Sequence, residues 1–289
     1  MGICAGRTVI ITGAGGGLGR AYAMALAAEG AQVVVNDIRA DAAAAVAGEI
    51  GASALANNGD ITTMDGAGGI VAAALARFGE VHAVVNNAGV VRDKMFASMS
   101  EEDWDLVIKV HLKGHFCLTS TLVKRWRDQV KAGQKVEARI VNTSSGAGLQ
   151  GSVGQSNYAA AKGGIASLTL VQAAELARYG ITANALAPAA RTGMTEKVFA
   201  DMMKAPEPGA FDHYDPANVA PLVVWLCSAR SGGVTGRVFE VEGGKLSIAQ
   251  GWRTGRVRDK QARWQPAELD EVIAELVTGA PKPQKVYGT

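Results

Sequence analysis

Tyr158 and Lys162 stand four residues apart in Ser156-Asn157-Tyr158-Ala159-Ala160-Ala161-Lys162, a stretch of helical composition. Residues at that spacing share one face of a helix, so the phenol and the ammonium face the same way. A phenol of ordinary pKa, about 10, is a poor base at neutral pH, and a neighbouring ammonium is expected to lower that value. Tyr158 can then exchange a proton with a substrate alcohol or ketone. Ser145 ends a predicted strand earlier in the chain, where its hydroxyl can hydrogen-bond the substrate oxygen. A Tyr and a Lys at helical spacing also arise by chance, so on their own they read equally as a structural pair.

A second group of residues has the pattern of a phosphate cradle. Thr12-Gly13-Ala14-Gly15-Gly16-Gly17-Leu18-Gly19 follows an apolar run and opens an Ala-rich segment. Glycines at 13, 15, 17 and 19 let the backbone approach a pyrophosphate at a helix N-terminus, with Leu18 in the first turn. Asp37, at the end of the next strand, is placed to accept hydrogen bonds from ribose hydroxyls and to repel a 2′-phosphate, which favours NAD over NADP. A helix N-cap is the other reading of Asp37. Arg20 and Arg39 are near enough in sequence to keep NADP as the minor option.

The elements needed to position these residues are legible as an alternation. Apolar runs rich in Val, Ile and Ala at Arg7 to Thr12, Gln32 to Asp37, Ala52 to Ala56, Val81 to Asn86, Arg139 to Ser144, Ile181 to Ala187 and Val238 to Val241 predict strands buried on both faces. Helical periods at 17 to 29, 40 to 50, 64 to 78, 101 to 130, 155 to 178 and 216 to 228 fall between them. The expectation is an α/β fold, a Rossmann-type doubly wound parallel sheet of about seven strands in a single domain. That domain is expected over 1–244, with a long loop at 191–215 as a substrate loop. A C-terminal extension over 245–289 follows, containing a helix at Pro266 to Val277, and is expected on or near the substrate site.

Composition narrows the class. The 289 residues are 48% hydrophobic and 19% charged with 36 glycines, which excludes a disordered chain. A net charge of +2 implies no general attraction to nucleic acid or to an anionic membrane. No stretch reaches the length of apolar residues needed to span a bilayer, and the start lacks the pattern of a secretory leader, so the expected address is cytoplasmic. Cys4, Cys117 and Cys227 lack metal or redox spacing and read as reduced thiols. His111 and His115 are four apart, but no third ligand follows at suitable spacing, so no metal is expected. Arg253, Arg256, Arg258 and Lys260 could meet the phosphates of a CoA substrate or be solvated surface charge. Met194, Met202 and Met203 could line an apolar cavity or simply pack.

From Gly6 to about Gly244 the chain resembles the short-chain dehydrogenase/reductase superfamily. The resemblance rests on Thr12-Gly13 to Gly19, Asn58-Gly59-Asp60-Ile61, Asn86-Asn87-Ala88-Gly89, Ser144-Ser145, and Tyr158 with Lys162. It implies that Asp60 and Ile61 lie near adenine, that Asn86, Ala88 and Gly89 lie along the cofactor, and that Lys162 also holds the nicotinamide ribose. Asp60 could otherwise cap a helix, and Asn86 to Gly89 could be a strand-end turn. Two positions depart from the family pattern. His111 in Val110-His111-Leu112-Lys113-Gly114 replaces the Asn that usually holds a water in the proton relay, and Pro188-Ala189 replaces the usual Pro-Gly, with Thr192 placed to meet the carboxamide.

The narrower resemblance is to the (3R)-hydroxyacyl-CoA dehydrogenase domain of the peroxisomal type 2 multifunctional enzyme, a 17β-hydroxysteroid dehydrogenase type 4-like family, and to its bacterial relatives. Arg92-Asp93-Lys94, Val110 to Gly114 and Trp225-Leu226-Cys227 carry it. It implies an NAD-dependent oxidoreductase acting on CH–OH, in lipid or steroid metabolism, that interconverts a (3R)-hydroxyacyl-CoA and its ketone, with His111 serving among the catalytic residues. It also implies a homodimer or homotetramer. A free 17β-hydroxysteroid or other secondary alcohol is the alternative substrate. A non-catalytic dinucleotide sensor is a third reading, opposed by intact Ser145, Tyr158 and Lys162.

Overall fold

Val9, Ile10 and Ile11 in one run and Val33, Val34 and Val35 in the next have no solvent exposure, as the central strands of a sheet covered on both faces must. In the computed structural model, which describes residues 2–193, 204, 206–207 and 209–289, these runs form β1 (Thr8–Thr12) and β2 (Gln32–Asn36). β3 (Ala54–Asn57), β4 (Ala83–Asn86), β5 (Ala138–Thr143), β6 (Ile181–Ala189) and β7 (Val238–Glu242) continue the sheet, all in parallel. An eighth strand, β8 (Lys245–Ile248), was not expected; it pairs antiparallel with β7, so the first residues beyond 244 belong to the sheet. The order is β3-β2-β1-β4-β5-β6-β7-β8. Strand order reverses between β1 and β4, and a crevice outside the carboxyl ends of the strands at that reversal is where α/β sheets bind ligands.

Helices cover both faces. α1 (Gly17–Ala28), α2 (Ala40–Ile50) and a helix at Ala220–Cys227 enclose one core with Tyr22, Leu26, Val223 and Leu226. α3 (Met64–Phe78), α5 (Gly114–Lys131) and α7 (Ser156–Leu176) enclose the other, with Ile70, Leu118, Leu122 and Trp126. Full burial of one such side chain stabilises by about 1.5–3 kcal/mol. Trp126 also places its indole N–H on the Val81 carbonyl at 2.8 Å, so its polar atom is satisfied inside the core.

The helix expected over 101 to 130 is two helices. α4 (Glu101–Ile108) starts at Ser100, whose side chain accepts from Asp103 N–H, and a π-helical turn at Lys109–Lys113 separates it from α5. His111 sits on that turn. A five-residue helix, α6 (Gly146–Gln150), also unforeseen, follows directly on Ser145. In the tail the helical start at Pro266 is a short 3-10 turn leading into a helix at Leu269–Thr278. Cys4, Cys117 and Cys227 are buried free thiols. Among the described residues no helix is long and apolar enough to cross a membrane.

Candidate active site

The phosphate loop is tied to β4 by side-chain hydrogen bonds. Thr12, the last residue of β1, accepts from the backbone N–H of Asn87 (2.9 Å) and Ala88 (3.0 Å), while the Asn87 amide donates to Thr12 O and Gly13 O. Gly13 has φ of +63°, and a Cβ there would come 2.7 Å from Ala88 Cα; a Cβ on Gly19 would come 2.2 Å from Gly13 O. No other residue type fits either place. Gly16 precedes α1 with no side-chain cap, so the first-turn amides of α1 are left to meet an anion. This backbone cradle fits a dinucleotide pyrophosphate.

Asp37 lies where an adenosine ribose is expected, and it is held there. Its Oδ2 accepts from Gly15 N–H at 3.0 Å and its Oδ1 from the Arg39 backbone N–H and Nε. Arg39, not Asp37, occupies the N-cap position of α2. Of the two cations near this carboxylate, Arg20 pairs with Glu49 and Arg39 with Asp37 itself. Asp60 accepts from the N–H and hydroxyl of Thr62, and Thr63, not Asp60, caps α3. Ile61 is buried beside Gly114. Thr192 lies over Gly17, since a Cβ built on that glycine would come 3.5 Å from Thr192 Cγ2. Pro188 pairs with Val241, carrying β6 beyond its expected end.

The Asn86 side chain points into the protein. It donates to Thr119 Oγ1 (2.8 Å) and Asn142 Oδ1 (2.9 Å), and Asn142 in turn donates to Thr169 and Gln172. This chain of amides runs inside the protein, between the sheet and the helices.

Ser145, Tyr158 and Lys162 converge at the end of β5. The Ser145 hydroxyl caps α6 by accepting from Ala147 N–H at 3.2 Å, and it is close enough to the Tyr158 phenol to favour its charged form. Lys162 is 2% exposed, with Nζ donating to Thr143 O at 2.6 Å and lying 5.5 Å from the centre of the Tyr158 ring. Ser144 Oγ donates to Lys162 O at 2.8 Å, which fixes the helix against the strand. Asn157, which the sequence did not single out, is fully buried and donates to Arg92 O and Asp103 O, anchoring the residue before Tyr158.

The electrostatics correct one expectation. Burial pushes the Tyr158 phenol up, against the lowering effect of Ser145, and the Asp93 carboxylate pushes the same way as burial. The Lys162 ammonium is itself pulled down to about 7 by burial. Lys162 points to a carbonyl rather than to the phenol oxygen, so the expected lowering of Tyr158 by its neighbour is not what this arrangement gives.

His111 is 1% exposed and stands edge-on to Tyr158 with 5.2 Å between ring centres. Its Nε2 lies 3.0 Å from Val90 N and 2.7 Å from Val90 O, and Nδ1 has no partner. Burial and the charge of Lys162 lower it to about 3, so the ring is neutral. The same ring explains Gly89, because a Cβ there would come 2.2 Å from His111 Cε1.

In the tail, Arg256 and Arg258 both pair with Glu275, and Lys260 pairs with Glu268. Three of the four cations expected to receive CoA phosphates therefore already have carboxylate partners. Met194, Met202 and Met203 lie outside the described residues, as does much of the expected substrate loop.

Known proteins resemble the chain over most of its length. The short chain dehydrogenase family profile matches residues 7–203. The chain is 43% identical to the hydroxyacyl-CoA dehydrogenase ChsB1 of Mycobacterium tuberculosis, over 98% of this chain and 92% of that one. It is 40% identical to the mouse peroxisomal multifunctional enzyme type 2 over 88% of its own length, but spans 33% of that protein. A short chain dehydrogenase from Mycobacterium avium superposes with a TM-score of 0.91 at 54% identity, covering both chains completely. The 3-ketoacyl-(acyl-carrier-protein) reductase of Brucella melitensis, solved with NADH, gives a TM-score of 0.75 at 31% identity over 83% of this chain and 98% of that one. Enzymes of this family work with a nicotinamide dinucleotide, for which the cradle around Gly13 and Gly19 is built. The chain belongs to the short-chain dehydrogenase family of oxidoreductases.

Proposed function

We propose that the chain is an NAD-dependent dehydrogenase interconverting a (3R)-hydroxyacyl-CoA, such as one derived from a steroid, and its 3-keto form. The observation that carries the chemistry is the convergence of Ser145, Tyr158 and buried Lys162, whose Nζ lies 5.5 Å from the centre of the Tyr158 ring, beside the phosphate cradle. The substrate class draws on the hydroxyacyl-CoA dehydrogenase relative, and the cofactor preference draws on Asp37, anchored where a 2′-phosphate would meet its charge.

The nicotinamide, when bound, supplies the hydride acceptor or donor. Tyr158 takes the proton from the substrate hydroxyl in oxidation and returns it in reduction. Ser145 hydrogen-bonds the same oxygen and orients it. Lys162 contributes its buried cationic charge and a donor for the ribose, while neutral His111 holds the Tyr158 ring from the side. Pairing of subunits through α5 and α7 fits the exposed Phe116, Leu170 and Val171 on those helices.

The test is a panel of 3-hydroxyacyl-CoA and hydroxysteroid substrates assayed with NAD and with NADP at one pH. Faster turnover of the CoA thioester than of its free acid supports the reading, and equal rates sink it. One observation favours a free secondary alcohol such as a 17β-hydroxysteroid as the second reading: the carboxylate partners of Arg256, Arg258 and Lys260 leave that cluster less charge for CoA phosphates.

A further inference from the structure

The chain's last residues return to the catalytic loop. Tyr287 N–H donates to Gly151 O at 3.2 Å, Val153 N–H donates to Tyr287 O at 2.9 Å, and Ser152 and Tyr287 form an isolated parallel bridge. The side chains meet as closely. A Cβ built on Gly146 would come 2.5 Å from the Tyr287 hydroxyl oxygen, and one on Gly151 would come 3.4 Å from Val286 Cγ1. The Gln150 side chain is near enough to the Tyr287 phenol to oppose, in part, the upward push of burial.

The other edge of this loop is held in the same way. Lys94 N–H donates to Gly154 O at 2.8 Å, Lys94 and Gln155 form a second parallel bridge, and Gln155 Nε2 donates to Asp93. Residues 151–155, which turn at Val153 and Gly154, are therefore held on one side by a segment following β4 and on the other by the end of the chain. The loop lies between Ser145 and Tyr158 in the chain, so a substrate oxygen held by those two hydroxyls leaves the rest of the molecule beside it.

The Tyr287 ring rests against Gly146, the residue after Ser145, yet is 45% exposed; Val286 (38%) and Val153 (45%) are comparably open. On the opposite edge Met95 and Phe96 are more exposed still. Apolar side chains grouped at the mouth of a polar reaction centre mark a binding surface.

We propose that Tyr287 is a specificity-determining residue: its ring, with Val286 and Val153, forms the wall that receives the apolar body of the substrate beyond its reacting carbon. The proposal rests on the dehydrogenase reading of the site but not on the thioester. A tyrosine suits the place because it offers a large rigid apolar face with a polar hydroxyl at its tip.

The test uses the full chain, the secondary alcohol that the unmodified protein oxidises best, and a homologue with a shorter apolar body. Tyr287→Ala should raise KM for the larger substrate about tenfold and lower the large-to-small selectivity by a similar factor, the scale expected for lost apolar contact in a pocket. NADH affinity and the KM for NAD should stay unchanged, and Tyr287→Phe should keep the selectivity. Gly146→Ala, whose methyl meets the Tyr287 ring, should shift selectivity in the unmodified chain and do nothing further in the Tyr287→Ala background. An unchanged selectivity in a folded Tyr287→Ala variant overturns the proposal, and so does a fall in kcat alone for both substrates. An unmodified chain that oxidises no secondary alcohol overturns the functional reading and this proposal together.

Discussion

The two halves of the crevice are built on different principles. On the cofactor side the contacts are backbone to backbone or run through short side chains such as Thr12, Asn87 and Asp37, and the spacing leaves no room for a Cβ at Gly13 or Gly19. On the substrate side the loop at 151–155 is pinned by two isolated bridges to distant segments and bordered by exposed apolar side chains. A diphosphate and ribose are the same in every substrate complex, so a rigid preformed cradle serves all of them. The apolar body of a substrate varies, and it is met by parts of the chain whose side chains can change without disturbing the sheet.

Tyr158→Phe should separate the halves most sharply. Turnover is expected to fall by about 10²–10⁴-fold while NADH binding, followed by fluorescence titration, stays within about twofold. Turnover that survives breaks the assignment of the proton to Tyr158. Gly19→Ala should do the converse. The methyl meets Gly13 O, and a clash costing about 1–3 kcal/mol translates into roughly 5- to 150-fold weaker NADH binding. Binding as tight as in the unmodified chain would show the cradle to be softer than drawn.

Asp37→Ala acts within the cofactor half alone. Removing the carboxylate should shift the NAD-to-NADP ratio of kcat/KM toward NADP by about tenfold, the scale of one hydrogen bond to a charged group. A ratio that does not move places the discrimination elsewhere.

Acidity probes the substrate half. Lys162 is lowered from its ordinary 10.5 to about 7 by burial, so between those values the unfolded chain binds more protons than the folded one. Stability from this group therefore rises with pH over that window, by at most about 1.4 kcal/mol per pH unit. Urea unfolding of Lys162→Met between pH 7 and 9 should lack that slope. Equal slopes would mean that the ammonium is better hydrated than its burial implies. Because the phenol is pushed up, oxidation should accelerate with pH while reduction, which uses the phenol as donor, stays level through neutrality.

The same division governs what could be read from the chain. Strands β1 to β7 were legible because each is a short apolar run between helical periods, and the glycines of the cradle were legible because their roles are local. β8 was missed, since Lys245-Leu246-Ser247-Ile248 is short and its side chains are all exposed. The break at Lys109–Lys113 was hidden in continuous helical composition. The inward amide chain that Asn86 joins was not legible, because its type suits a turn, a ligand and a buried amide chain equally. Asn157 and Tyr287 carried no signal: one acts through the carbonyls of Arg92 and Asp103, the other through a pairing with Ser152 that only the folded chain creates.

The fit of His111 against Gly89 makes the two positions a lock that opens in one order only. Exchanging the histidine first, for the asparagine usual in the wider family, empties space that a methyl at 89 can then enter. Exchanging the glycine first drives a methyl into the imidazole and, through the edge contact with Tyr158, into the reacting centre. Any route that changes both positions therefore meets the steric clash only when the glycine is exchanged first.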